Sequence, residues 1–288
     1  MKRNTAVKML GASLVGTGAI ILASKARFEN TINNRIDNLR KAANPIRSQV
    51  FSRDDLEGLP APVQRYFNNV LIDGQPYVES VQLRQQGEFR LDDTEDSWKP
   101  LDATQHFTVD PPGFVWDARI EMVPFISARV LDMYQRGEGI LRAKVLSTVP
   151  VAEVGPNPEM NSGKLLRYLA ESVWFPTALL PSQGVEWDTI DRRSARATLE
   201  NAGATASLVF YFNDRDEVEK VHTERRYRQE DRSYRPWTGY FDNYQVKNGL
   251  RIPVDVKVEW NLPNRNAAYW RASIEEIDHK LVSESSNR

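Results

Sequence analysis

Arg167 and Glu171 are the first residues whose types and spacing indicate chemistry. They lie four positions apart in the string RYLAE, within a predicted helix over Lys164–Val173, so their side chains are neighbours on one helical face. At the mouth of a cavity, Arg167 would hold an anionic head group such as a carboxylate or a phosphate. The alternative is a surface salt bridge worth only ~0.3–0.5 kcal/mol.

A second pattern lies in the strand-like string DMYQRGEG, which begins at Asp132. Asp132 and Tyr134 share one parity, so both side chains face the same side of a strand. If that side is the interior, the Asp132 carboxylate needs a partner, and Arg167 is the obvious candidate. The alternative is a plain solvent-facing strand.

Two amides and several aromatic residues fall on the apolar parity of other predicted strands. Gln85 and Gln105 would point inward, where an amide must find hydrogen bonds, and we expect them to bond each other or a ligand. Trp116, Tyr134 and Trp260 would supply apolar contact in a cavity, or else fill an ordinary core. The predicted ligand-binding residues are Gln85, Gln105, Trp116, Asp132, Tyr134, Arg167, Glu171 and Trp260.

Signals for catalysis, metal binding or nucleic-acid binding are weak. The chain has no cysteine and only three histidines, which argues against a zinc site, and no G-x-S-x-G string surrounds a serine. We therefore predict no catalytic residue, no metal and no cofactor. The net charge is −1, and the mixed-sign run Glu224–Arg235 resembles a solvated edge strand more than a nucleic-acid surface.

The N-terminus has the layout of an export signal. Lys2, Arg3 and Lys8 precede an uncharged stretch, Leu10–Ala23, and small residues follow where a signal would be cleaved. Residues 1–26 are thus predicted to be a cleaved signal peptide or a retained transmembrane anchor, although the stretch is short for a spanning helix. Either outcome makes the protein extracytoplasmic, periplasmic or anchored facing outward, with the membrane as a partner.

The rest of the chain is predicted to be mainly β. Residues 27–58 form a helical or linker segment, residues 59–280 a single β domain, and residues 281–288 a flexible tail. From Tyr77 onward, apolar and polar residues alternate with period two, and short turns separate about eleven strands. Such a series favours one large curved antiparallel sheet, or open half-barrel, with the mid-chain helix covering it.

Several short strings carry a resemblance to a known family. They include LPAPVQRYF from residue 59, PPGFVWDA from residue 111, DMYQRGEG from residue 132 and RYLAE from residue 167. On these strings the chain resembles the DUF6544 family (formerly DUF6920) of uncharacterised bacterial proteins. The family implies no activity. The strand count also resembles the lipoprotein-carrier half-barrels, a likeness of architecture alone.

These patterns predict a non-catalytic protein of the cell envelope that binds a hydrophobic or lipid-like ligand on the concave face of the sheet. Asp132, Arg167 and Glu171 would gate the opening. Two alternatives stay open: an envelope hydrolase that uses carboxylates or histidine, and a non-catalytic scaffold or assembly protein with an apolar outer patch.

Overall fold

A computed structural model describes residues 3–44, 49–91 and 97–282, with the backbone alone for residues 3–20. The predicted tail over 281–288 falls almost wholly outside these residues. Helix α1 runs over Arg3–Ala42. No helix within the described residues is both long enough and apolar enough to cross a membrane.

Thirteen antiparallel strands form one sheet that does not close into a barrel. The six N-terminal strands follow one another outward from the middle to one edge. The seven C-terminal strands begin at the other edge and return inward to β13 beside β1, in the order β6-β5-β4-β3-β2-β1-β13-β12-β11-β10-β9-β8-β7. The strands are β1 Val78–Arg90, β2 Trp98–Thr108, β3 Gly113–Val123, β4 Ile126–Gln135, β5 Glu138–Val145, β6 Val149–Val154, β7 Val185–Asp191, β8 Ser194–Asn201, β9 Ala204–Phe212, β10 Val218–Arg228, β11 Ser233–Lys247, β12 Leu250–Leu262 and β13 Arg265–Leu281.

This architecture confirms the predicted curved antiparallel sheet with a mid-chain helix. The strand count is higher than expected, and β6 forms although it contains Pro150. An edge strand tolerates proline, since only one of its sides joins the ladder. The mid-chain helix, α3, spans Pro158–Glu171 and begins earlier than predicted, because Asn157 caps it by accepting a hydrogen bond from the Met160 amide.

The concave side of the sheet is filled with side chains. Helix α2, Ala61–Val70, α3 and three short 3₁₀ turns between residues 172 and 183 occupy it. Phe107 on the sheet meets Phe175 of these turns with ring centroids 4.8 Å apart, and Trp174 is fully buried beside it. The expected open apolar cavity is therefore wrong for this face, because the inserted segment carries its own aromatic residues into the hollow.

The second half of α1 packs on the convex face. Phe28, Ile32 and Leu39 are buried against a patch that includes Val115 and Leu131. Those two strand residues have the opposite parity to Trp116 and Asp132, whose side chains face the interior. The segment predicted to be helical or a linker is thus helical up to Ala42, and it packs on the sheet.

The contact between α1 and the sheet includes a buried histidine. His106 on β2 is 7% exposed, and its Nδ1 lies 3.3 Å from Nη2 of Arg40 on α1. Burial, together with the charge of Arg40, lowers the pKa of His106 from its ordinary 6.5 to about 4. The stabilising contribution of the neutral ring is therefore complete above pH 6.5 and is lost as the pH falls towards 4.

We expect acidification from pH 7 to pH 4 to cost the wild type on the order of 2 kcal/mol more than a His106→Gln variant, because only the wild type must protonate this ring on unfolding. Urea unfolding at several pH values measures the difference. His279 titrates in both proteins and cancels from the comparison. Parallel pH profiles for the two proteins would refute the assignment.

Candidate ligand-binding site

Helix α3 bridges the two halves of the open sheet. It contacts β3, β4 and β5 on one side and β8, β9 and β10 on the other. Close approach to β5 depends on Gly139, where an added Cβ atom would lie 2.8 Å from the Lys164 side chain and 2.9 Å from the Met160 carbonyl oxygen. The two halves also touch directly, since the Tyr134 hydroxyl donates a 2.9 Å hydrogen bond to Asn201.

Four charged side chains form a buried ion network between α3 and the sheet. One oxygen of the Asp132 carboxylate of β4 lies 2.6 Å from Lys164 Nζ, and the other accepts a hydrogen bond from Arg167 Nη1 at 2.7 Å. Arg167 Nε reaches Glu171 at 2.8 Å. Asp132, Lys164 and Glu171 are all buried. The ion pair expected between Asp132 and Arg167 is present, and the alternative of a surface salt bridge for Arg167 and Glu171 is wrong.

The network is electrically balanced, with two cations and two carboxylates. Burial raises the pKa of Glu171, although Arg167 and Gln105 oppose the shift. Burial lowers the pKa of Lys164 against the attraction of Asp132. For Arg167, burial alone would lower the pKa, but Glu171 and Asp132 outweigh it and the pKa is raised. Each charged group thus loses hydration on burial and is stabilised by the opposite charges of its partners.

The two inward glutamines do not bond each other, contrary to one expectation. Gln105 Nε2 donates to Glu171 at 2.7 Å, which joins it to the ion network, and Gln85 Oε1 accepts from Trp116 Nε1 at 2.9 Å. Both glutamines are fully buried. Gln85 Nε2 and Gln105 Oε1 have no hydrogen-bond partner among the described residues. Each glutamine therefore pairs with a different neighbour: Gln105 with Glu171 of α3, and Gln85 with the Trp116 ring.

The aromatic residues of the predicted site divide into two groups. Trp116 packs beneath the ion network, and its ring centroid is 4.8 Å from Cζ of Arg167. Tyr134 is fully buried on the adjacent strand. Trp260 lies elsewhere on the concave side, stacked on Tyr269 at 6.0 Å and near Arg226. The predicted site therefore includes one aromatic residue, Trp260, that lies apart from the ion network.

Sequence reasoning missed Lys164. It sits three residues before Arg167, one helical turn away, and this spacing was the available signal. A lysine is rarely buried unless it is paired, so its place at the start of the predicted helix did not indicate burial. Its partner Asp132 is distant in sequence, and only the pairing of α3 with β4 brings them together.

Comparison of the sequence with models of known protein families assigns the chain to a family. The model of a family of unknown function, DUF6920, matches residues 57–279. The chain belongs to this family. The match extends from α2 through nearly all of β13, so it contains the whole sheet and the ion network of this DUF6920 protein. No curated protein matches the chain significantly.

Two solved structures show what this DUF6920 protein is similar to. A LolA-superfamily protein from Nitrosomonas europaea is 11% identical, with a TM-score of 0.40, and the alignment covers 81% of this chain and 94% of the other. A β-barrel-like protein of the DUF1849 family from Brucella abortus is 10% identical, with a TM-score of 0.28, and the alignment covers 71% of this chain and 99% of the other.

Proposed function

We propose that this protein is a non-catalytic binding protein of the cell envelope, which takes a hydrophobic or amphiphilic, lipid-like ligand between the concave face and α3. The supporting observation is the ion network: α3 buries a charged face against the sheet. A buried ion pair gains little net stability, because desolvation offsets the attraction. The closed position of α3 is therefore held more weakly than an apolar interface of the same size would hold it.

The ends of α3 differ in a way that suits a moving helix. Gly155 and Pro156 are exposed before its first turn. After its last turn the chain enters the buried segment that contains Val173, Trp174 and Phe175. The C-terminal end is thus anchored, and the N-terminal end, with Lys164 nearer to it, is the end that would swing away.

Movement of α3 would uncover a surface suited to an amphiphile. Phe114, Trp116 and Tyr134 would offer apolar contact to a chain. The released Arg167 and Lys164 would offer cations to a head group, and the unpartnered amide atoms of the two glutamines would gain hydrogen-bond partners. The export-like N-terminus supports an envelope location.

Purification of the full chain under native conditions, followed by solvent extraction and mass spectrometry, tests the proposal. We expect a stoichiometric lipid-like molecule with the wild type and at least a tenfold lower yield with Trp116→Ala. Trp98→Ala is the matched control, since Trp98 packs under Arg90 and Arg271 away from α3. A wild type that emerges empty and takes up no fluorescent fatty acid would overturn the proposal.

An envelope hydrolase is the second candidate, and one observation favours it. Asp132 and Glu171 both point inward, and burial raises the pKa of Glu171, as a general acid requires. Hydrolysis of ester or amide substrates that Glu171→Gln abolishes would support this candidate.

A further inference from the structure

The sheet has an internal split that the sequence did not indicate. Strands β9 and β10 pair only from Val209 to Phe212 and from Val218 to His222. The rest of each strand pairs only with its other neighbour. The start of β9, from Ala204, pairs with β8, and the end of β10, up to Arg228, pairs with β11. Two stretches of strand therefore face each other without a shared ladder.

An open groove of about 540 Å³ occupies this split. Its walls come from the separated parts of β9 and β10, and α3 contributes Ser162, Gly163 and Leu166. No residue of the ion network lines the groove. The groove is therefore distinct from the surface that α3 would uncover.

Three arginines line the groove: Arg196 on β8, and Arg225 and Arg226 on β10. Within the described ranges, none of the three forms an ion pair with a carboxylate. For the half-buried Arg226 this contrasts with Arg167, Arg228 and Arg251, which all have a carboxylate partner. Arg225 lies over the ring of Tyr234 at 4.9 Å, and Arg226 over that of Trp237 at 4.5 Å. Stacking fixes the direction of these guanidinium groups. Arg226 Nη1 also donates to the Tyr269 hydroxyl at 3.5 Å, whereas the Arg225 guanidinium has no hydrogen-bond partner among the described residues.

The remaining charge of the groove does not cancel these cations. Two carboxylates, Glu159 and Glu224, also line it, and Glu224 lies 3.2 Å from His222. The three arginines and two glutamates of the groove thus leave an excess of one positive charge. Hydroxyl groups of Ser162, Ser207 and Thr223 add neutral donors.

We propose that this groove is a binding site for an anionic group, a phosphate or a carboxylate, held by Arg196, Arg225 and Arg226. The anion supplies the charge partner that the three guanidinium groups lack. It enters from the open side of the split, where Arg196 and Arg225 are exposed, and Arg226 lies at the inner end beside the Trp237 ring. The group belongs either to a free anion or to the head of an amphiphile.

Titration of the full chain separates these outcomes, with inorganic phosphate and dihexanoyl phosphatidylglycerol as probes and dihexanoyl phosphatidylcholine as the neutral comparison. We expect saturable binding of an anionic probe that weakens as salt is raised and falls about tenfold or more in Arg225→Gln and in Arg196→Gln. Arg84→Gln is the matched control, because Arg84 is an exposed strand arginine outside the groove. Binding of phosphate supports a free-anion site, and binding of phosphatidylglycerol alone supports a head-group site.

Three results would overturn the proposal: no saturable binding of either anionic probe, equal binding of the phosphatidylcholine probe, or equal loss in Arg84→Gln. Both groove variants change exposed side chains, so they should fold, and an unchanged unfolding midpoint confirms this. Loss of phosphate binding in them leaves lipid uptake beneath α3 untouched, so failure here is distinguishable from failure of the proposed function.

Discussion

The Asp132→Ala variant should lose about 3–5 kcal/mol of unfolding free energy, since it leaves Lys164 and Arg167 buried without their shared carboxylate. Asp132 holds one cation on each oxygen, at 2.6 and 2.7 Å. After its removal Glu171 remains as the single acidic partner of Arg167, and no acidic partner remains for Lys164 among the described residues. Urea unfolding followed by far-ultraviolet circular dichroism measures the loss.

The matched control removes a carboxylate from an exposed ion pair. Glu153 on β6 pairs with Arg142 at 3.1 Å and is 60% exposed, so Glu153→Ala should change the unfolding free energy by no more than about 0.5 kcal/mol. If Asp132→Ala costs as little as Glu153→Ala, the ion network is more hydrated than its burial indicates. The assignment of a buried network would then be wrong.

A large loss on breaking the network does not mean that the network is a strong stabiliser. The loss measures the cost of leaving charge unpaired in the interior, whereas the intact network repays little more than its own desolvation. An apolar set of side chains could fill the same space. Stability alone therefore does not account for the charges, which supports the proposal that α3 leaves the sheet and returns.

Much of the fold followed from the sequence because its alternation is strong. The parity of β3 and β4 placed Trp116, Asp132 and Tyr134 on one face, and the structure buries all three there. The need of an inward carboxylate for a cation predicted the partner of Asp132 as Arg167. Both inferences rest on local rules, the two-residue period of a strand and the cost of an unpaired buried charge.

What the sequence did not predict depends on contacts between distant segments. The partners of Gln85 and Gln105 are set by how closely α3 and the Trp116 ring approach, not by their own strands. The concave side is filled by the inserted segment around Trp174. The position of this segment relative to the sheet cannot be predicted from the spacing of apolar residues. The split between β9 and β10 likewise depends on where two strands stop pairing, at His222, and not on the sequence of either strand alone.

The second large effect separates stability from function. A variant that makes the network apolar, with Asp132→Leu, Lys164→Met, Arg167→Met and Glu171→Gln, should be as stable as the wild type or more stable by about 1–4 kcal/mol, because no charge is left buried. The glutamine at position 171 keeps an acceptor for Gln105 Nε2. Unfolding in urea tests this half of the prediction.

The same variant should take up a fluorescent fatty acid at least tenfold more slowly. Methionine and leucine side chains lose hydrophobic contact whenever α3 moves away from the sheet, whereas the charged side chains of the wild type regain water. Stopped-flow fluorescence compares the two uptake rates, and the Arg84→Gln variant controls for a general effect of removing charge. Uptake at the wild-type rate by a variant of equal or higher stability would show that α3 does not control access to the concave face.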